Sequence, residues 1–398
     1  MDCYIFGAGS SKCYKDSPTG QTMPIAKDFF KTFNELRISS NPWVLVGNVI
    51  NYVKETRGVD PFDFINYNED IEVLHSEIFE KFLIAQRNNE FDQMLKYSAA
   101  NIQLAFMFVS AFNEIQNGPV SIAHKNFVDI LQNGDSILSF NWDTLLDRSL
   151  FSTGKWFPDT GYGIIPKQVF RNKWMNPNNN TSQFNLIKLH GSTNWLTSYP
   201  VWDHNKLIFS HTTGDSDVFV YQETTDPYPC YDGRYMAGYE PFSYGYYPPN
   251  LFVDSIKPEE GHFFARYILR NGMNIKGSAP SDGIESMPLI ITPVKQKDYG
   301  RFGNLFETLW NNAYRSIEDA DRIFIIGYSF PKTDLKSNEL FYKAFMKRSS
   351  IPEIVIINPY PENIIDKFQL EFGIPSSKIT VEKCYVDSTY NFSKWRRT

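Results

Sequence analysis

Residues 136–148 read SILSFNWDTLLDR, an apolar, β-prone run that passes through a polar cluster straight into helical spacing. Ser136 to Phe140 predicts a short buried strand, and Leu145, Leu146 and Leu150 share one face of a helix that starts near Thr144. Asn141 and Asp143 are thereby placed at a strand's carboxyl end, the edge at which open parallel α/β sheets bind ligands. Asp143 taken alone has a simpler reading, as the cap of that helix.

Other stretches repeat the pattern. Cys3 to Phe6 is a short apolar strand running into FGAGSS at 6–11, where glycines allow a backbone to approach a phosphate closely; the same spacing also suits a plain tight turn. Phe184 to Leu189 predicts a strand that delivers KLHGSTNW at 188–195 and sets His190 at its carboxyl end. From Met287 onward come PLIITPV at 288–294, RIFIIG at 322–327 with its exit loop YSFPKTD, and EIVIIN at 353–358 followed by PYPE. Helical spacing over 305–320 and 335–346 separates the later strands. Strands alternating with helices predict an α/β fold, a doubly wound Rossmann-like parallel sheet assembled from 1–30, 132–195 and 287–398.

Two long stretches interrupt it. Residues 31–131 are almost wholly helical in pattern and predict an inserted helical module, with NEDIE at 68–72 as the acidic first turn of one helix. His75 and His124 fall on amphipathic stretches without metal-ligand spacing and read as packing residues. Residues 196–286 are crowded with Tyr, Phe, Pro and Gly, and such aromatic content predicts an ordered, loop-rich insertion instead of disorder.

Composition narrows the class. The 398-residue chain has a formal net charge of −6, which shows no broad footprint for nucleic acid, although SKWRR at 393–397 is a small basic patch. Its four cysteines contain no C-x-x-C pair, so a zinc ribbon is not expected and a reducing cytosol is. No window approaches the roughly 18 apolar residues of a membrane span, and no signal segment is visible at the start. A cytoplasmic protein without direct nucleic-acid binding or a membrane anchor is the expectation.

Taken together, FGAGSS, SFNWD, KLHGS, IIGYSF and IINPYPE, each at a strand end and in this order, resemble the sirtuin-like family of NAD-consuming enzymes. The likeness covers about the first 24 residues, then 128–195 and 287–362. It implies that Gly7, Ala8, Gly9 and Ser10, with Ser11 nearby, hold the NAD pyrophosphate. It also implies that Asn141 and Asp143 contact the nicotinamide ribose and carboxamide, that His190 is the general base, and that Gly327, Ser329 and Asn358 hold the adenosine end. NAD is then a substrate, and the implied chemistry requires no metal.

Two departures set the branch. Deacylating sirtuins carry a zinc module with paired cysteines and an Asp-Phe-Arg element after the glycine loop, whereas this chain has PIAKDFF at 24–30. The chain instead is similar to the bacterial anti-phage defence branch, which implies an NAD glycohydrolase that depletes NAD when triggered. Such enzymes act as oligomers or with an activating partner, such as a DNA-translocating ATPase or an Argonaute-type protein. An NAD-dependent protein deacylase and a non-catalytic nucleotide-binding scaffold are the alternatives.

Overall fold

A computed structural model describes residues 1–36, 42–171, 174–198, 200–203, 206–209, 218–226, 267–269, 284–294, 297, 299, 302–331 and 334–397. The chain opens with β1 (Asp2–Phe6) and a single helical turn, α1 (Ala8–Ser11). Four helices follow, α2 (Phe29–Leu36), α3 (Pro42–Arg57), α4 (Ile71–Asn88) and α5 (Phe91–Gln116). Then come α6 (Ile122–Val128), β2 (Ser136–Ser139), α7 (Leu145–Phe151), β3 (Gln168–Phe170) and β4 (Trp174–Met175). Strands β5 (Asn185–Lys188) and β6 (Gly191–Ser198) precede a hairpin of β7 (Pro200–Asp203) and β8 (Lys206–Phe209). After β9 (Phe219–Tyr221), β10 (Tyr267–Leu269) and β11 (Ile284–Ile290), the chain alternates again through α8 (Leu305–Asp319), β12 (Arg322–Ile326) and α9 (Leu335–Lys347). It closes with β13 (Glu353–Ile357), α10 (Glu362–Asp366) and β14 (Ile379–Glu382).

Six strands form an all-parallel sheet in the order β14-β13-β12-β1-β2-β5, so the doubly wound α/β expectation holds. Cys3 lies in register with Ile323 on one side and Ser136 on the other. From β1 the chain steps outward to β2 and β5, then returns to β12 and runs the opposite way. The switch point is therefore between β1 and β12, the place where such sheets leave a crevice. The central strands are continuous apolar runs because residues of α6, α7, α8 and α9 bury them, as Tyr4 and Phe6 on Phe127 illustrate, with ring centroids 4.9 and 4.7 Å apart.

A second sheet, β10-β11-β6-β9-β3-β4, corrects one expectation. PLIITPV reads as a strand of the parallel sheet, yet Ile284–Ile290 pairs antiparallel with β6, with a register shift between Pro288 and Ile290. An apolar run buried in either sheet looks the same in one dimension. Proline has no amide hydrogen to donate to a ladder, which fits its place beside that irregularity.

Helices α2 to α5 pack together as one layer. Its core of Phe29, Phe30, Phe33, Val49, Leu104, Phe108 and Phe112 is continuous with Leu196, Phe219 and Ile290 of the second sheet. Phe29 and Phe30 thus belong to the module, whereas α6 packs on the parallel sheet. Asp70 caps α4 by accepting from the Glu72 amide at 2.9 Å, which leaves Glu72 as the acid of the first turn, while Glu69, ahead of the cap, pairs with Arg57 at 3.0 Å. Most of the aromatic stretch at 196–286, with His204, His211 and His262, lies outside the described residues. Among the described residues no helix is long and apolar enough to cross a membrane. The basic tail is engaged internally: Arg397 pairs with Asp2 and Asp135, Lys394 with Glu382 at 2.6 Å, and Arg396 donates to the Asp129 carbonyl at 2.7 Å.

His75 and His124 are both buried packing residues. His75 stacks on Phe108 at 6.2 Å, and His124 shares a hydrogen bond of 2.8 Å with Ser121. Burial lowers the imidazole of His75 to about 3 and that of His124 to about 4. Depressed histidines stabilise the fold fully above the unfolded value of about 6.5 and lose that contribution as pH falls toward the folded one. Urea midpoints are therefore expected to fall between pH 6.5 and 4, each histidine contributing up to about 1.4 kcal/mol per pH unit. His75→Phe should flatten this slope; an unchanged slope would refute the assignment.

Candidate active site

The site is built from the carboxyl ends of β1, β2, β5 and β12. The Gly7 amide donates to the Ile326 carbonyl at 3.0 Å and the Gly9 amide to the Gly327 carbonyl at 2.9 Å, so the glycine turn is fastened to the exit of β12. A Cβ on Gly7 would stand 2.5 Å from the Tyr328 Cα, and Gly327, at φ +61°, faces the Ser10 amide. These glycines make room for the protein's own backbone. The amides of Gly7 and Gly9, expected to be open to a phosphate, are occupied by carbonyls, whereas Ala8 and Ser329 are exposed at this edge.

Asn141 reaches back across the sheet edge to that turn. Its Nδ2 donates to the Gly7 carbonyl at 3.0 Å and Ser11 Oγ at 2.9 Å, with Ser10 Oγ at 3.2 Å. Ser10 Oγ donates its own hydrogen bond to the Gly7 carbonyl at 2.7 Å, and Ser11 Oγ donates to Asp143 Oδ2 at 2.7 Å. The amide is therefore held in one orientation. Its oxygen Oδ1 is buried and has no partner among the described residues. Asp143 makes the helix-start contact read from the sequence: its other oxygen accepts the Leu145 amide at 3.1 Å, at the start of α7. Asn358, at the end of β13, uses its side-chain oxygen to accept the Tyr360 amide at 2.9 Å.

His190 sits beside this cluster through Phe140 and Trp142, whose rings lie 5.3 and 6.3 Å from the imidazole. Trp142 also donates to the Ile291 carbonyl at 3.1 Å and stacks on Phe112 at 6.0 Å, which couples the site to the helical module. On its other side His190 meets groups that pattern reading missed. Nε2 is 3.3 Å from Asp334 Oδ2 and 3.2 Å from Lys297 Nζ, while Lys297 Nζ is 3.2 Å from Asp334 Oδ1. The Tyr328 hydroxyl donates to Asp334 Oδ2 at 2.8 Å and its ring stacks on Phe140 at 4.1 Å.

Electrostatics follow from that packing. Burial and the Lys297 ammonium lower the His190 imidazole, outweighing Asp334 and a hydrogen bond to the Phe140 backbone. Burial pushes the Asp334 carboxyl up, but His190, Lys297 and the Tyr328 hydroxyl hold it well below the usual carboxylate range. At neutral pH the imidazole is neutral and Asp334 ionised, with Lys297 and Tyr328 compensating it. Asp334 precedes α9 and reads as an N-cap, yet it makes no side-chain cap. An aspartate at a strand exit, before a helix, was the signal that could have found it.

Beneath the polar cluster lie buried supports. Lys188 Nζ donates to the Asp143 carbonyl at 2.5 Å and pairs with Asp147 at 3.1 Å. Arg148 donates to the carbonyls of Gln116, Gly118, Thr224 and Thr225, and Gln116 accepts the Thr144 amide at 2.8 Å. The strand ends thus bring Gly7, Ser10, Ser11, Asn141 and Asp143 into one bonded cluster, with Gly9 and Gly327 fastened to it and His190 joined through Phe140 and Trp142. Ser329 and Asn358 stand farther out on the β12 and β13 exits. The chain matches no protein-family model and no curated protein.

Proposed function

We propose that this protein is an NAD glycohydrolase, cleaving NAD to nicotinamide and ADP-ribose at the sheet edge around Asn141 and His190. The observation that carries the reading is the Asn141 amide: its nitrogen is fixed by the glycine turn and its buried oxygen has no partner among the described residues. Other buried side-chain atoms also go unpartnered, but this one stands at the carboxyl edge of the parallel sheet, beside the glycine turn, where it fits a ligand's hydroxyl. The sirtuin-like order of motifs supplies the ligand class. Ala8 to Ser11 would border the pyrophosphate, and Gly327, Ser329 and Asn358 the adenosine end.

In this reading the bond from ribose C1′ to the nicotinamide nitrogen breaks, and its electron pair returns to the pyridine ring. Because that ring is a cationic leaving group, the main demand is stabilising an oxocarbenium-like centre, which fixed polar groups meet. Water attacks C1′ and gives a proton to the neutral His190, which releases it to solvent. Asn141 orients the ribose, while Asp143 holds Ser11 and the helix start in place. The enzyme acts as a defence effector, kept idle until an oligomer or activating partner engages it.

Asn141→Ala is expected to lower nicotinamide release by roughly 10²-fold, with no acetyl-ADP-ribose formed from an acetylated peptide by either protein. Chromatography of the products tests this. Wild-type turnover in Asn141→Ala would remove the assignment.

A further inference from the structure

Lys297 arrives at the sheet edge from the segment that follows β11, 107 residues from His190 in sequence. Its side chain is 8% exposed, and its ammonium lies within 3.2 Å of both an imidazole nitrogen and a carboxylate oxygen. A water that is to lose a proton to His190 while a carboxylate orients it must occupy such a point. The imidazole's other hydrogen bond goes to the Phe140 backbone, which leaves Nε2 as the nitrogen for chemistry.

Resting on the NAD-hydrolysis reading, we infer that Lys297 fills the nucleophile's position between His190 and Asp334, so that this arrangement is the idle form and withdrawal of Lys297 admits water. In the open form Asp334 is a second catalytic residue. The attacking water gives one proton to His190 Nε2 as its oxygen bonds to C1′, and its remaining proton stays on the new hydroxyl, hydrogen-bonded to Asp334. Among the described residues the charged and titratable groups around the imidazole and its carboxylate neighbour are Lys297, Asp334, Tyr328 and Tyr299, while Phe140 and Trp142 present aromatic faces. Tyr328 keeps its bond to Asp334 when the lysine leaves, so the carboxylate is not stranded.

The test uses the full chain as wild type, Lys297→Met, Lys297→Arg and Lys297→Met combined with Asp334→Asn. Two quantities are followed: nicotinamide release from NAD, and titration of the His190 imidazole by NMR, identified by its loss in His190→Gln. Lys297→Met should raise turnover by about tenfold or more, and His190 should titrate at higher pH because a neighbouring cation is gone. Lys297→Arg should stay near wild type, and adding Asp334→Asn should cancel the gain. Turnover by Lys297→Met at or below that of an active wild type overturns the inference, as does an unmoved His190 titration. A moved titration with no nicotinamide release from any variant instead overturns the NAD reading while leaving the contact standing.

Discussion

His190→Ala is expected to reduce nicotinamide release by about 10²–10⁴-fold, the range spanned by positioned general bases, while the protein stays folded. The fold tolerates the change because Lys297 and Asp334 still pair at 3.2 Å and Tyr328 still donates to Asp334, so no buried charge is orphaned. The loss comes from the step in which water must surrender a proton. Its pH profile carries a second mark. Burial, the largest influence on the His190 imidazole, lowers it whether or not Lys297 is in place, so the active neutral form accumulates below the ordinary histidine value. The wild-type rate should rise with pH through a point under about 6.5 and then stay flat across neutrality. The His190→Ala residual rate should lack that rise. A variant that keeps both rate and profile would show that the imidazole is only a packing group.

Lys188→Met is expected to destabilise the protein by about 3–5 kcal/mol, the usual cost of breaking a buried ion pair by removing one partner. Lys188 and Asp147 are about 1% and 0% exposed and 3.1 Å apart, so solvent cannot take over when the ammonium is lost. Among the described residues Asp147 would keep the Tyr162 hydroxyl alone, which donates at 2.5 Å, and the Asp143 carbonyl would lose its 2.5 Å donor. That second loss loosens the 141–144 turn and so reaches the site. Combining Lys188→Met with Asp147→Leu removes both charges and should recover at least half of the stability. Urea denaturation of the three proteins measures this; a double variant no more stable than the single one would mean that the pair's charges are not what matters.

Much of the site was legible because each strand's end was legible. SFNWD, KLHGS and FGAGSS are short apolar runs stopping at polar residues, and a parallel sheet puts all such stops on one edge. Asn141, Ser11 and the Gly7 carbonyl meet for that reason, 130 or more residues apart. The second sheet was not legible. The partners of its strands, such as Ile284–Ile290 on Gly191–Ser198, are chosen by distant pairing, and Gly191, at φ +75°, turns the chain from His190 directly into it.

By itself the sequence determined which residues can end strands in polar groups, where helices must lie, and that a parallel α/β sheet would follow. Local periodicity carries that information, since burial of one face is written every two or 3.6 residues. Only the tertiary structure decided that Lys297 and Asp334 close on His190 and that the Gly7 and Gly9 amides bond to the β12 exit. Those contacts join segments far apart in the chain, and a lone lysine or aspartate carries no periodicity to announce its partner.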